Sequence, residues 1–164
     1  MRNRSRLDLI CVPEGMDTIF AHDAWPDMQA SWVRTGLLDA AGMPTEKMVT
    51  GGGRGIAIDL PTTRVVYGNQ LGGVRVRCTA CGTGLAREFA RSIESIRESG
   101  EPSVRCTDCG KLLPLEALDI RPPLRLGRSA LILQDVDGSQ LTEQGRRAIE
   151  SWLGAFSVVL RRVS

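Results

Sequence analysis

Histidine is almost missing: His22 is the single copy among 164 residues. It stands beside Asp23, but the sequence places no serine, cysteine or second acid to work with it. It therefore reads as a surface or capping residue and not as a general base. Lysine is nearly missing as well, with Lys47 and Lys111 set against 19 arginines. Aromatic residues make up 4% of the chain, and only Tyr67 and Phe89 lie near its central cysteines. That scarcity argues against a platform on which nucleic-acid bases stack. No run approaches about 18 consecutive apolar residues, so no membrane-spanning helix is expected and no membrane partner. The start, MRNRSRLDLICV, has no apolar stretch followed by a cleavage site. The expected compartment is a reducing cytoplasm. Paired carboxylates and a Ser/His/Asp set are also missing, so no catalytic residue is assigned and a non-enzyme is expected.

What the chain does have is a repeat. VRCTACG at residues 76–82 recurs as VRCTDCG at residues 104–110, giving C-x2-C-x24-C-x2-C. Structural zinc takes four soft or borderline ligands in a tetrahedron, with Zn–S near ~2.3 Å. Two cysteines three positions apart reach one ion only where the backbone curls tightly. A glycine after the second one, Gly82 or Gly110, permits that curl. Cys78, Cys81, Cys106 and Cys109 are therefore assigned as four ligands of one structural Zn2+. The stretch resembles the zinc-ribbon group, in which each knuckle caps a β-hairpin. The resemblance covers about residues 74–120, and it implies a structural metal without implying a reaction or a partner. Two disulfides would need an oxidising compartment. A thioredoxin-like pair explains one C-x-x-C but not its duplication. A catalytic zinc keeps an open position, and four cysteines leave none.

The formal charge is +2 with every cysteine neutral. Four thiolates and one divalent ion bring it close to zero. Residues 74–128 carry 10 basic and 7 acidic side chains, short of the basic footprint of a dedicated nucleic-acid binder. The excess of arginine, with glycine and alanine, is what a GC-rich coding sequence produces.

The remaining pattern is α/β. Residues 6–12 form a buried strand with Cys11 inside it as a small hydrophobe. A helix over residues 24–41 is expected, with Asp23 as N-cap, a stripe of Trp25, Met28, Trp32, Val33 and Leu37, and a stop at Gly42 and Pro44. TGGGRG at residues 50–55 precedes a strand pattern and so is a connector; a phosphate loop would open a helix. Residues 55–67 read as a hairpin, followed by a turn at Gly68-Asn69. Between the knuckles, Leu85, Phe89, Ile93 and Ile96 share one helical face. Leu112, Leu113, Leu115 and Leu118 follow the second knuckle. Residues 129–136 form the most apolar strand. A helix capped by Thr142 buries Ala148, Ile149, Trp152 and Leu153 and ends at Gly154, and residues 156–163 form the last strand.

These elements predict an α+β fold. Residues 1–70 and 128–164 make a ferredoxin-like βαββαβ-type sandwich, with one strand too many, and residues 71–127 make an inserted zinc ribbon. The two most apolar strands are its expected centre. An open three-layer α/β sheet is the alternative. The expected function is a non-enzymatic interaction or scaffold protein with a protein partner. The alternative is a nucleic-acid binder using Arg75, Arg77, Arg87, Arg91 and Arg105. A zinc module this small has few groups to cover the stripe of its helix. That stripe is expected on the α/β sheet or on the same helix of a second subunit, which would make a homodimer.

Overall fold

The run RLDLICVP forms β1 (Arg6–Pro13), with its last six residues buried. A computed structural model describes residues 6–68, 74–96, 100 and 102–163 of the chain. A single 3-10 turn, His22–Ala24, leads into α1 (Trp25–Arg34). Two strands follow, β2 (Gly55–Asp59) and β3 (Val65–Tyr67). The cysteine segment contains β4 (Arg75–Arg77), α2 (Ala86–Ile96), β5 (Ser103–Arg105), β6 (Leu112–Pro114) and β7 (Asp119–Arg121). The chain ends through β8 (Arg125–Gly127), β9 (Ala130–Gln134), α3 (Glu143–Leu153) and β10 (Phe156–Val163).

Four strands form one sheet in the order β10-β1-β9-β2, and every neighbouring pair is antiparallel. The two most apolar strands, β1 and β9, are the central ones, because each must bury both of its faces. Successive side chains alternate between faces. Leu9, Cys11, Leu131 and Leu133 point to one face, where α1 supplies Trp32 and α3 supplies Ile149 and Leu153. Ile10, Val12, Ile132 and Val159 point to the other, where Tyr67 of β3 covers them. The fold is thus α+β. Both helices lie on one face, so the three-layer alternative does not hold.

The expected hairpin over residues 55–67 is not formed. β2 pairs with β9, whereas β3 leaves the sheet and pairs with β8, Val66 opposite Leu126. This accounts for the surplus strand. The β3–β8 ribbon faces two ways: Tyr67 packs on the sheet, while Val66 and Leu126 pack on the core of the cysteine segment. Tyr67 also donates its hydroxyl to Asp59 of β2 at 2.8 Å. Burial and the neighbouring Asp59 carboxylate push that phenol well above its usual range.

The first helix is shorter than expected. Gly36, at φ 76°, takes the left-handed conformation that ends a helix. The Leu37 and Leu38 amides then fold back to the Trp32 carbonyl at 2.9 and 3.1 Å. Leu37 is still buried, but from outside the helix, and Val33 is 38% exposed, so it leaves the stripe. Asp23 is not an N-cap: it lies in the 3-10 turn, and Ala24 holds the capping position. Trp25, Trp32 and Trp152 form one aromatic cluster with Phe20, at centroid separations of 4.9–5.7 Å. Trp152 donates its indole N–H to the Ala21 carbonyl at 2.8 Å.

The α3 cap is as expected. Thr142 Oγ1 accepts from the Gly145 amide at 2.9 Å, and Gly154, at φ 75°, ends the helix. Asn69, Arg97 and Glu98 lie outside the described residues, as does the side chain of Ile96. Among the described residues, no helix is long and apolar enough to cross a membrane.

Candidate metal centre

Each knuckle is built by the same backbone hydrogen bonds. In the first, the Cys78 amide donates to the Thr83 carbonyl at 2.9 Å and the Gly82 amide to the Cys78 carbonyl at 2.8 Å. In the second, Cys106 donates to Lys111 at 2.9 Å and Gly110 to Cys106 at 3.0 Å. Gly82 and Gly110 sit at φ 78° and 73°, where a side chain would be strained. The repeat extends into the flanking chain. Arg77 bridges Gly84 just as Arg105 pairs with Leu112. Both knuckles therefore cap an antiparallel turn. After the first, Leu85 leads into α2; after the second, the chain continues as β6.

The two knuckles bring Cys78, Cys81, Cys106 and Cys109 together, with all four sulfurs within 4.8 Å of one another. Cys81 Sγ lies 3.5 Å from Cys106 Sγ, and Cys78 Sγ 3.8 Å from Cys109 Sγ. A tetrahedron with Zn–S near ~2.3 Å has edges of ~3.8 Å. The donor set and its spacing fit one metal ion. Cys78 and Cys106 are buried at 2% and 1% exposure, while Cys81 and Cys109 face solvent. The Thr83 hydroxyl links the knuckles by donating to Asp108 at 2.6 Å, and it accepts from Cys81 Sγ at 3.3 Å.

Four thiols this close cannot all ionise without a cation. Hydrogen bonding with the Thr83 hydroxyl, then with the Thr83 backbone and Cys106, lowers the Cys81 thiol to about 6. The Lys111 amide pulls Cys109 down, but desolvation and hydrogen bonding to the other three sulfurs outweigh it and push that thiol to about 11. Negative charges held this close repel one another. A divalent ion removes that penalty.

The core beneath the centre is made by the segment itself. Leu85, just before α2, and Phe89 and Ile93 within it pack with Val76, Val104, Leu113 and Leu118. Phe89 and Ile93 are each 8% exposed. The stripe is expected on the α/β sheet or on a second subunit; within the chain, the turn strands on either side of α2 cover Phe89 and Ile93. Leu113 belongs to that core, whereas Leu112 alternates outward and is 53% exposed. Cys11, the fifth cysteine, is fully buried in the other core, and desolvation pushes its thiol to about 12.

His22 takes no part in the centre and has no buried neighbours in its turn. The TGGGRG run leads into β2 and opens no helix. Arg75, Arg77, Arg87, Arg91 and Arg105 are all exposed. Arg121, which no local pattern singles out, stands directly opposite Arg75 in the β4–β7 ladder, with Asp119 opposite Arg77. A second missed residue, Arg64, is buried and joins three segments. It donates to Asp17 at 2.7 and 2.6 Å and to the Gly100 carbonyl at 2.6 Å. A cavity of about 430 Å³ lies away from the cysteines, between the turn that follows β1 and Leu115, Leu118 and Leu124. The chain matches no protein-family model, no curated protein and no solved structure with which it was compared.

Proposed function

We propose that this chain is a non-enzymatic interaction or scaffold protein of the cytoplasm, in which Cys78, Cys81, Cys106 and Cys109 hold one structural Zn2+. The observation that carries this reading is the convergence of four sulfurs from two matching knuckles. With four protein ligands, a tetrahedral ion has no open position for water or substrate. Thiolates select zinc over the hard cations calcium and magnesium. The metal's contribution is then to folding: it stiffens about residues 71–127, a small unit inserted in a host made of residues 1–70 and 128–164. We read the host as a ferredoxin-like sandwich. The order β10-β1-β9-β2, with antiparallel neighbours and both helices on one face, supports that class. A rigid zinc ribbon presented by such a host suits recognition of another protein. The test is affinity purification with the wild-type chain and with Cys106→Ser as bait. A protein partner retained by the first and lost by the second supports the reading, and equal retention by both contradicts it.

One observation favours the second reading, a nucleic-acid binder. Like charges directly opposite on a ladder are unfavourable, and Arg75 faces Arg121 on an exposed surface that also carries Arg77. Asp119 offsets part of that charge through its ion pair with Arg121 at 3.1 Å. A bound polyanion would offset the rest, with Arg87, Arg91 and Arg105 as further phosphate contacts. Here the test is binding to DNA and RNA across a salt series. Phosphate contacts give a steep fall of log K with log salt, and a flat response rejects this reading.

A further inference from the structure

The four sulfurs differ in access and in nearest neighbour. Cys81 and Cys109 are open to solvent, one from each knuckle, while Cys106 and Cys78 lie beneath them at 1% and 2% exposure. The recorded sulfur contacts cross between the knuckles: Cys81 to Cys106 at 3.5 Å and Cys109 to Cys78 at 3.8 Å. Each exposed sulfur therefore has a buried neighbour on the other knuckle, besides the one on its own. The Thr83–Asp108 hydrogen bond, 2.6 Å long, ties the knuckles together beside Cys81 without using a metal. The hydrophobic core around Cys78 and Cys106 does the same from below.

Resting on the metal-site reading above, we propose that Cys81 and Cys109 are oxidation sites for a hydroperoxide. Oxidation there converts the centre into two disulfides that cross between the knuckles, Cys81–Cys106 and Cys78–Cys109, with release of the metal. The Cys81 thiolate attacks the terminal peroxide oxygen, the O–O bond breaks, and alkoxide leaves (hydroxide when the oxidant is hydrogen peroxide), so Cys81 becomes a sulfenic acid. The Cys106 thiolate then attacks the Cys81 sulfur. The S–O bond breaks, hydroxide leaves, and the S–S bond forms. Two sulfurs have given two electrons to one peroxide. Cys109 and Cys78 repeat the sequence with a second peroxide. A disulfide needs sulfurs about 2.05 Å apart, so a short closing movement suffices at either pair. The ion loses two of its ligands at the first step, which is why it leaves. Because the new bonds span the knuckles, they add a covalent tie to the Thr83–Asp108 hydrogen bond and the core beneath.

The sequence supplies a clean test. Trypsin cuts at Arg77, Arg87, Arg105 and Lys111, which places Cys78 and Cys81 on one peptide (residues 78–87) and Cys106 and Cys109 on another (residues 106–111). The full-length, zinc-loaded chain is treated with hydrogen peroxide, zinc release is followed with a chromophoric chelator, and the product is digested without reduction. The expected result is zinc release in step with thiol loss and a single species in which the two peptides are joined. Two separate peptides, each closed on itself, overturn the cross-knuckle pairing. Zinc retention at excess peroxide overturns the oxidation site. A purified protein that carries no zinc before treatment defeats the metal reading instead, and that outcome is visible before any peroxide is added.

Discussion

Arg64 holds both carboxylate oxygens of Asp17, Nε to Oδ1 at 2.7 Å and Nη2 to Oδ2 at 2.6 Å, across 47 positions of sequence. A bidentate pair of this kind fixes direction as well as distance. Arg128 reaches the same Oδ1 at 3.1 Å. Through its Nη1 contact with the Gly100 carbonyl, Arg64 also ties the cysteine segment to the loop that follows β1. The hydrogen bond from Arg64 is the largest influence holding the Asp17 carboxyl below its ordinary value. A carboxyl depressed in the folded state adds stability above its unfolded pKa of about 3.9, and the gain is lost as pH falls through the folded value. Asp17→Asn should therefore lower the unfolding midpoint at neutral pH, with a gap from wild type that closes in acid. A midpoint difference that does not change with pH contradicts this assignment.

Phe89→Asp tests where the α2 stripe is buried. With Phe89 inside the segment's own core, the change should cost at least the about 3–5 kcal/mol of a Phe→Ala truncation, weaken metal binding and leave the oligomeric state alone. A dimer that becomes a monomer and still binds metal, seen by light scattering, would return the stripe to a subunit interface.

All three tryptophans belong to the cluster beside α1 and α3, and none lies in the cysteine segment. Tryptophan fluorescence therefore reports the four-stranded sheet and its two helices alone. Cys78→Ser should abolish metal binding and leave the emission maximum and its cooperative thermal transition in place. Loss of that transition means that the sheet and its helices depend on the metal.

Gly145→Ala reverses a usual trend. Glycine inside a helix ordinarily costs up to about 1 kcal/mol relative to alanine. Here a Cβ at position 145 would run into the Met48 carbonyl, against which the start of α3 is docked. The variant should be less stable by about 1–3 kcal/mol, the range for overpacking. Thermal denaturation checks it, and a stabilised variant would mean that the two segments separate easily.

The parts legible in the sequence are those fixed by short-range chemistry. The cysteine spacing and its two glycines pointed to the knuckles, and the continuous apolar runs of β1 and β9 marked the sheet centre. Thr142 and Gly154 marked both ends of α3. What failed depended on distant partners. Residues 55–67 alternate like a hairpin, but nothing local says that β3 will pair with β8 across nearly the whole cysteine segment. The pairing of Arg75 with Arg121 is likewise a matter of ladder register, which neither strand encodes alone. Arg64 looks like any arginine beside a strand until the fold brings Asp17 and Gly100 to it. The helix stop is expected at Gly42 and Pro44, because apolar Leu37 continues the stripe past Gly36, where the helix actually ends.

The role of the four cysteines is tested most directly by measuring zinc and reactive thiols together on the purified chain. The expected result is about one zinc per chain, as a closed tetrahedral site requires. Cys78, Cys81, Cys106 and Cys109 should be blocked to a thiol reagent until a chelator is added, and Cys11 until the protein is unfolded. Under about half an equivalent of zinc, with those four thiols free in the folded protein, contradicts the structural metal centre.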